Sequence, residues 1–165
     1  MKRRRPLPLF QSIEPDIYVV DTSAWFNIDV RPDAEDVWLL ITALIEQGRI
    51  VACAPVIAEL RDAPMYILRL KRYEHAIQAG DRNSDDIAYL QHVGKITHDH
   101  PAMSKARGPK TVADPYVIAL AELNGYVVVA DESMKRSNRK IPGVCQQRGI
   151  RCITLAQFVT AHTKA

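Results

Sequence analysis

The sequence is poor in cysteine and has no long apolar segment. It contains only three cysteines, Cys53, Cys145 and Cys152, and their spacing fits no zinc-ligand pattern. Because Cys53 and Cys152 fall inside apolar strand-like runs, we interpret them as buried small side chains in a reducing compartment. No apolar run approaches the ~18 residues that a membrane span needs. We therefore expect a cytoplasmic protein that does not associate with membranes.

The sequence also lacks a strong excess of charge of one sign. It has 22 Lys and Arg against 19 Asp and Glu, a formal net charge of +3, which alone does not indicate a nucleic-acid partner. A length of 165 residues suits one domain with its own core. The basic, proline-rich start is too short for a signal peptide. We expect a flexible basic arm over residues 1–12 and a single domain over residues 13–165.

Predicted strands and helices alternate along the chain without internal repeats. The strand-like runs cover residues 17–20, 50–54, 126–130 and 150–155. The first of them lacks polar alternation, as expected when both sheet faces are covered. The predicted helices cover residues 34–47, 56–61, 112–123, 144–148 and 155–162, with two more between 65 and 96. Residues 21–33 and 97–111 are predicted as loops. This pattern predicts an α/β fold, a three-layer α/β/α sandwich with a mainly parallel sheet.

Acidic residues stand where each βα unit would place a ligand-binding side chain. The positions are Asp21 after the first strand, Glu59 after the second, Asp114 at a helix start, and Asp131 and Glu132 after the third strand. Strand carboxyl ends and the helix starts beside them share one edge of a parallel sheet. Four carboxylates there would repel each other unless a divalent cation lay between them. The set predicts metal-assisted chemistry on a phosphate.

Each acid also has a structural interpretation. Asp21 suits a helix cap or an Asx turn, and Asp114 followed by Pro suits a cap as well. Glu59 could lie on the wet face of a short helix. Ser23 adds a hydroxyl that could orient a carboxylate or a metal-bound water. Local sequence does not decide which of the two adjacent acids, Asp131 or Glu132, faces the site.

Basic residues cluster directly after the acidic strand end. By itself this charge run would be a solvated loop, but its position favours contacts to the phosphates of a nucleic-acid backbone. The candidate phosphate-contacting residues are Lys135, Arg136, Arg139 and Lys140, with Lys105, Arg107 and Lys110 as an extension. We interpret the group His98-Asp99-His100 as a surface loop and not as a metal site.

The ordered acidic motifs resemble the PIN domain. They are Asp21-Thr22-Ser23 after a strand, Val56-x-x-Glu59-Leu60, Ala113-Asp114-Pro115 with Ile118-Ala119, and Val128-Val129-Ala130-Asp131-Glu132. Further motifs resemble a less-characterised PIN subfamily: Trp38, Gln47-Gly48-Arg49-Ile50, and Lys140-Ile141-Pro142-Gly143-Val144-Cys145. The resemblance covers about residues 17–158.

This resemblance implies a Mg²⁺- or Mn²⁺-dependent endoribonuclease, the toxin of a bacterial type II toxin–antitoxin pair. It implies that Asp21, Glu59, Asp114 and one of Asp131 and Glu132 are catalytic, with the subfamily favouring Glu132 as the fourth metal ligand. Ser23 would support these ligands. The implied partners are RNA, a cognate antitoxin and a second copy of the chain. The basic residues Lys135, Arg136, Arg139 and Lys140 would then bind the RNA backbone.

An alternative function rests on Ala130. The PIN family often has Ser or Thr two residues before the fourth acid, whereas this chain has Ala130 before Glu132, or Val129 before Asp131. Loss of a hydroxyl that supports a metal ligand weakens metal sites. The alternative is therefore a catalytically degenerate PIN fold that binds RNA or protein.

Overall fold

A parallel four-stranded sheet forms the centre of the protein. The computed structural model describes residues 15–78, 86–103, 112–132 and 139–163; the predicted arm over residues 1–12 lies outside them. The strands are β1 (Tyr18–Val20), β2 (Ile50–Val51), β3 (Val127–Val129) and β4 (Cys152–Ile153), in the order β2-β1-β3-β4. Each neighbouring pair is parallel, so the predicted sheet type is confirmed.

Helices cover both faces of this sheet. They are α1 (Thr22–Ile28), α2 (Ala34–Glu46), α3 (Ala54–Leu60), α4 (Glu74–Gln78), α5 (Ile87–Asp99), α6 (Asp114–Asn124), α7 (Ile141–Arg148) and α8 (Leu155–Thr163). A π-helical turn (Tyr66–Leu70) and a 3₁₀ turn (Lys71–Tyr73) precede α4. The fold is a three-layer α/β/α sandwich, as the alternating pattern predicted.

The strands lie in register, which brings their carboxyl ends to one edge. Val20 of β1 pairs with Val129 of β3, and Val129 pairs with Ile153 of β4. All three residues of β1 and of β3 are buried, because helices cover both faces. The residues that follow Val20 and Val129 therefore emerge side by side.

Helix α1 corrects the prediction of a loop after the first strand. Asp21 caps this helix and accepts a hydrogen bond from the backbone N–H of Ser23 at 3.0 Å. Buried Trp25 stacks on Trp38 of α2 with ring centroids 6.1 Å apart. The cap and a short buried face outweigh the Asp, Asn and Pro content on which the loop prediction rested.

Several predicted boundaries were also wrong. The second strand ends at Val51 because α3 begins at Ala54 with Pro55 in its first turn. The group His98-Asp99-His100 is not a loop: His98 and Asp99 end α5, and the backbone N–H of His100 donates to Ile96. Cys53 is buried as expected, whereas Cys152 is half-buried.

Candidate metal site

Asp21 is a buried acid at the carboxyl end of the central strand. Its residue exposure is 3%, and its backbone N–H donates to Val129 at 2.9 Å. The Ser23 hydroxyl donates to its Oδ2 at 2.6 Å. Burial raises the pKa of Asp21, the Ser23 hydrogen bonds oppose this rise, and the charge of Glu132 adds to it. Asp21 is both a helix cap and an electrostatically strained carboxyl group.

Ser23 joins the two adjacent strand ends. Its hydroxyl donates to Asp21 and accepts from the backbone N–H of Asp131 at 3.0 Å. One hydroxyl thus fixes the Asp21 carboxylate and the chain leaving β3. This geometry agrees with the orienting role expected for Ser23.

Asp114 lies in the first turn of α6, beside Asp21. The cap position is Ala113, which provides no side-chain cap, so the interpretation of Asp114 as a cap was wrong. Burial raises the pKa of Asp114 to about 7, with further increases from the charges of Asp21, Glu132 and Glu59. These four carboxylates therefore share one electrostatic environment.

Helix α3 carries Glu59 to the same edge. The Thr22 hydroxyl donates a short hydrogen bond to Oε2 of Glu59. Thr22 and Ser23 are the first two residues of α1. Their hydroxyls hold Glu59 and Asp21, respectively. Thr22 was not among the predicted site residues, although its place inside Asp21-Thr22-Ser23 could have indicated this contact.

The two adjacent acids after β3 have different surroundings. Asp131 accepts from the backbone N–H of Leu155, at the start of α8, at 2.9 Å through Oδ1, and from Asn27 at 3.2 Å through Oδ2. Both of its carboxylate oxygens are thus held by structural donors. Glu132 instead acts electrostatically on Asp21 and Asp114. The geometry favours Glu132 as the fourth acid.

Glu132 is held by the start of α7. Lys140 donates from Nζ to Oε1 at 2.9 Å, and the backbone N–H of Ile141 donates to Oε2 at 3.1 Å. The pKa of Lys140 is raised, first by this hydrogen bond and then by the charges of Glu132, Asp114 and Asp21. Lys140, predicted to contact RNA, therefore lies against the acids in this structure.

The other predicted RNA-binding residues are less informative. Lys135, Arg136, Lys105, Arg107 and Lys110 lie outside the described residues. Arg139 is exposed, directly precedes Lys140 and lies just before the start of α7. Its assignment stays a prediction.

A comparison with protein families places this chain. It matches the family described as "Domain of unknown function (DUF4411)" over residues 18–164. The chain belongs to this family. No curated protein matches it. In this DUF4411 domain the matched region contains the whole sheet and all five candidate acids.

The DUF4411 acids fit a hard cation by their chemistry. Carboxylate oxygens are the ligands that Mg²⁺ and Mn²⁺ prefer. Burial raises the pKa of Asp114, and the charges of three neighbouring carboxylates add to this rise. Among the described residues, no group of three or more His, Cys, Asp or Glu side chains is already arranged around one point. In this arrangement the Glu132 carboxylate accepts a hydrogen bond from Lys140.

The length and apolar character of a helix determine whether it can cross a membrane. Over residues 15–78, 86–103, 112–132 and 139–163, none of the helices is both long and apolar enough to span a bilayer.

Proposed function

We propose that this protein is a metal-dependent endoribonuclease of the PIN type. The observation that carries the proposal is the raised pKa of Asp114, about 7, caused by burial and by Asp21, Glu132 and Glu59. A group of like charges of which Asp21 is buried and the other three are half-buried is costly to the fold unless a cation or protons neutralise it. Such groups concentrate at functional sites.

The proposed metal ligands are Asp21, Glu59, Asp114 and Glu132. A bound Mg²⁺ or Mn²⁺ would lower the pKa of a water molecule and neutralise charge on a phosphate. Ser23 holds Asp21, and Thr22 holds Glu59, so α1 supplies the hydroxyls that orient two ligands. Loss of such a supporting contact typically lowers metal affinity or activity by about tenfold or more.

Substrate contacts are proposed for the basic segment after β3. Arg139 and the residues before it would contact the RNA backbone, since Arg and Lys supply most phosphate contacts. RNA, an antitoxin and a homodimer are proposed partners. The antitoxin and the homodimer rest on the PIN resemblance. A small DNA-binding protein encoded beside this chain that suppresses its toxicity would support the toxin assignment, and toxicity unchanged by that neighbour would count against it.

The test is an RNA cleavage assay. The full chain is incubated with a panel of structured RNAs in Mg²⁺, Mn²⁺ or EDTA, beside Asp21→Asn and the matched surface control Asp36→Asn, whose side chain is exposed on α2. We expect cleavage by the parent and by Asp36→Asn in Mn²⁺ or Mg²⁺, and none in EDTA or with Asp21→Asn. Cleavage that survives EDTA or Asp21→Asn contradicts the proposal.

The second candidate function is a PIN-type binding module without catalysis. Buried Ala130 offers no hydroxyl beside the fourth acid, and the described acids are not yet gathered around one point. A calorimetric titration separates the two functions, because a degenerate site should not bind Mn²⁺. RNA binding without Mn²⁺ binding would favour the module.

A further inference from the structure

Lys140 is a cation placed among the acids of the candidate site. It precedes α7 and forms an ion pair with Glu132, with side-chain exposures of 43% for Lys140 and 15% for Glu132. Its charge also acts on Asp114 and Asp21. The positive charge of Lys140, like that of a divalent cation, reduces the electrostatic repulsion among the carboxylates of Glu132, Asp114 and Asp21.

The two oxygens of Glu132 have donors of different mobility. Oε2 accepts from the backbone N–H of Ile141, whose position is fixed by α7. Oε1 accepts from the Lys140 ammonium, which sits on a flexible four-carbon stem. Oε1 can therefore change partner while the backbone contact keeps Glu132 in place.

We propose that Lys140 is a built-in counter-ion that a divalent cation must displace from Glu132, so that Lys140 sets the affinity of the site for metal. This inference rests on the proposed function, because it requires the acids to bind a cation. Lys140 is a positioning residue in this account. In the metal-free protein it stabilises the acids, and when a cation binds, its ammonium leaves Oε1.

The opposite role for Lys140 makes the opposite prediction. If the ion pair with Glu132 prepared this side chain to bind metal, removing the lysine would weaken metal binding. If Lys140 competes with metal, removing it strengthens binding, because no ion pair has to break. The sign of the change in Mn²⁺ affinity therefore decides between the two roles.

The experiment is a calorimetric titration of the full chain with Mn²⁺ alone. The variants are Lys140→Met, the charge-conserving Lys140→Arg, and Arg139→Met as a matched control that removes one charge at the neighbouring exposed position. We expect Lys140→Met to bind Mn²⁺ about two- to tenfold more tightly, as loss of a partly exposed ion pair allows. Lys140→Arg should stay close to the parent, and Arg139→Met should shift the affinity less than Lys140→Met.

Failure of this inference differs from failure of the proposed function. If the parent binds Mn²⁺, Asp21→Asn does not, and Lys140→Met binds equally or more weakly, the counter-ion role is wrong and the metal site stands. If neither the parent nor Asp21→Asn binds Mn²⁺, the metal site and the counter-ion role are both overturned.

Stability in EDTA gives a readout that needs no metal. A double-mutant cycle over Lys140→Met and Glu132→Gln isolates the interaction of the two side chains. We expect Lys140→Met to lower the melting temperature in the parent and to have a smaller effect in the Glu132→Gln protein. Equal effects in both backgrounds would show that Lys140 does not act through Glu132, which overturns the inference.

Discussion

At the scale of single residues, the site is defined by burial and by like charge. Asp21 is the one buried charged or polar residue in the described part of the chain, and burial raises the pKa of half-buried Asp114 to about 7. Both effects follow from the places of these residues at a strand end and a helix start, where access of solvent is limited. The same surroundings that strain the metal-free protein would favour a bound cation.

Replacing Asp114 should separate stability from activity. Asp114→Asn removes one charge from the repelling group, so we expect a higher melting temperature than the parent in EDTA at pH 8. RNA cleavage in Mn²⁺ should fall to background in the same protein. Differential scanning fluorimetry and a cleavage assay check the two outcomes. A variant that is less stable in EDTA and still cleaves RNA contradicts this assignment.

The raised pKa of Asp114 predicts how stability depends on pH. Its folded-state pKa, about 7, exceeds the ordinary value of 3.8, so the folded state binds more protons between these values. The stability contributed by Asp114 is therefore present at low pH and lost as the pH rises toward and through 7.

Melting temperatures in EDTA at pH 5 to 8 measure this effect. The difference between Asp114→Asn and the parent should grow in favour of the variant with increasing pH, while groups common to both proteins cancel. A difference that does not change with pH would show that Asp114 titrates near its ordinary value.

Residue-scale predictability from sequence had a clear limit. The positions of Asp21 and Asp114 at one edge of the sheet could be predicted, because each directly adjoins a strand or helix boundary. The different contacts of Asp131 and Glu132 could not be predicted, since successive side chains on extended backbone point in opposite directions. A shift of one residue in register would exchange their environments. The pairing of Lys140 with Glu132 depends on where α7 starts, which the sequence placed three residues too late.

At the scale of elements, short helices orient the site. Helix α1 positions Thr22 and Ser23 against Glu59 and Asp21, although the sequence predicts a loop for this segment. Its seven residues are too few for a periodic pattern to be convincing, and isolated helices this short are unstable. Tertiary packing of Trp25 and the Asp21 cap make it helical.

The hydrogen bond from α1 to Glu59 can be removed with little change in shape. Thr22→Val keeps the β-branched form but loses the donor to Glu59. We expect the unfolding free energy to change by only about 1 kcal/mol, whereas RNA cleavage falls by roughly 10- to 100-fold because a supporting contact to a ligand is lost. Thr42→Val on α2 is a matched control, and it should leave cleavage unchanged. Equal cleavage rates for Thr22→Val and the parent would remove Thr22 from the site.

Asp131 holds the start of helix α8 through its hydrogen bond with the backbone N–H of Leu155. Asp131→Ala removes the acceptors for Leu155 and Asn27, so we expect a loss of about 1–2 kcal/mol in the unfolding free energy. Urea denaturation measures this loss. Affinity for Mn²⁺ should stay near that of the parent in Asp131→Ala and fall strongly in Glu132→Gln. The reverse result would make Asp131 the fourth ligand.

At the scale of the whole molecule, parallel topology gathers acids that are distant in sequence. Asp21 and Glu132 are 111 positions apart in the sequence, yet they follow β1 and β3, two strands that pair in register. The alternation of strands and helices in the sequence predicted a parallel sheet. A crossover connection makes the next strand run in the same direction, so that the carboxyl ends of all strands lie at the same edge. The directions of the Asp131 and Glu132 side chains and the presence of the short helix α1 depend on tertiary packing. They could therefore not be predicted from the sequence.

Metal binding should stabilise the whole domain if the acids form one site. At a free Mn²⁺ concentration one hundred times the dissociation constant, linkage predicts about 2.7 kcal/mol of added stability. Thermal unfolding with Mn²⁺ and with EDTA measures it for the parent, and Asp21→Asn should gain little. An equal gain in both proteins would locate the bound metal elsewhere.

The most direct test of the central claim is the single-turnover rate of RNA cleavage in Mn²⁺ for Asp114→Asn beside Asp36→Asn. Both variants lose one negative charge, but only Asp114 lies among the four acids. The account predicts cleavage at the parent rate by Asp36→Asn and no cleavage above background by Asp114→Asn. Cleavage by Asp114→Asn at the parent rate would contradict it.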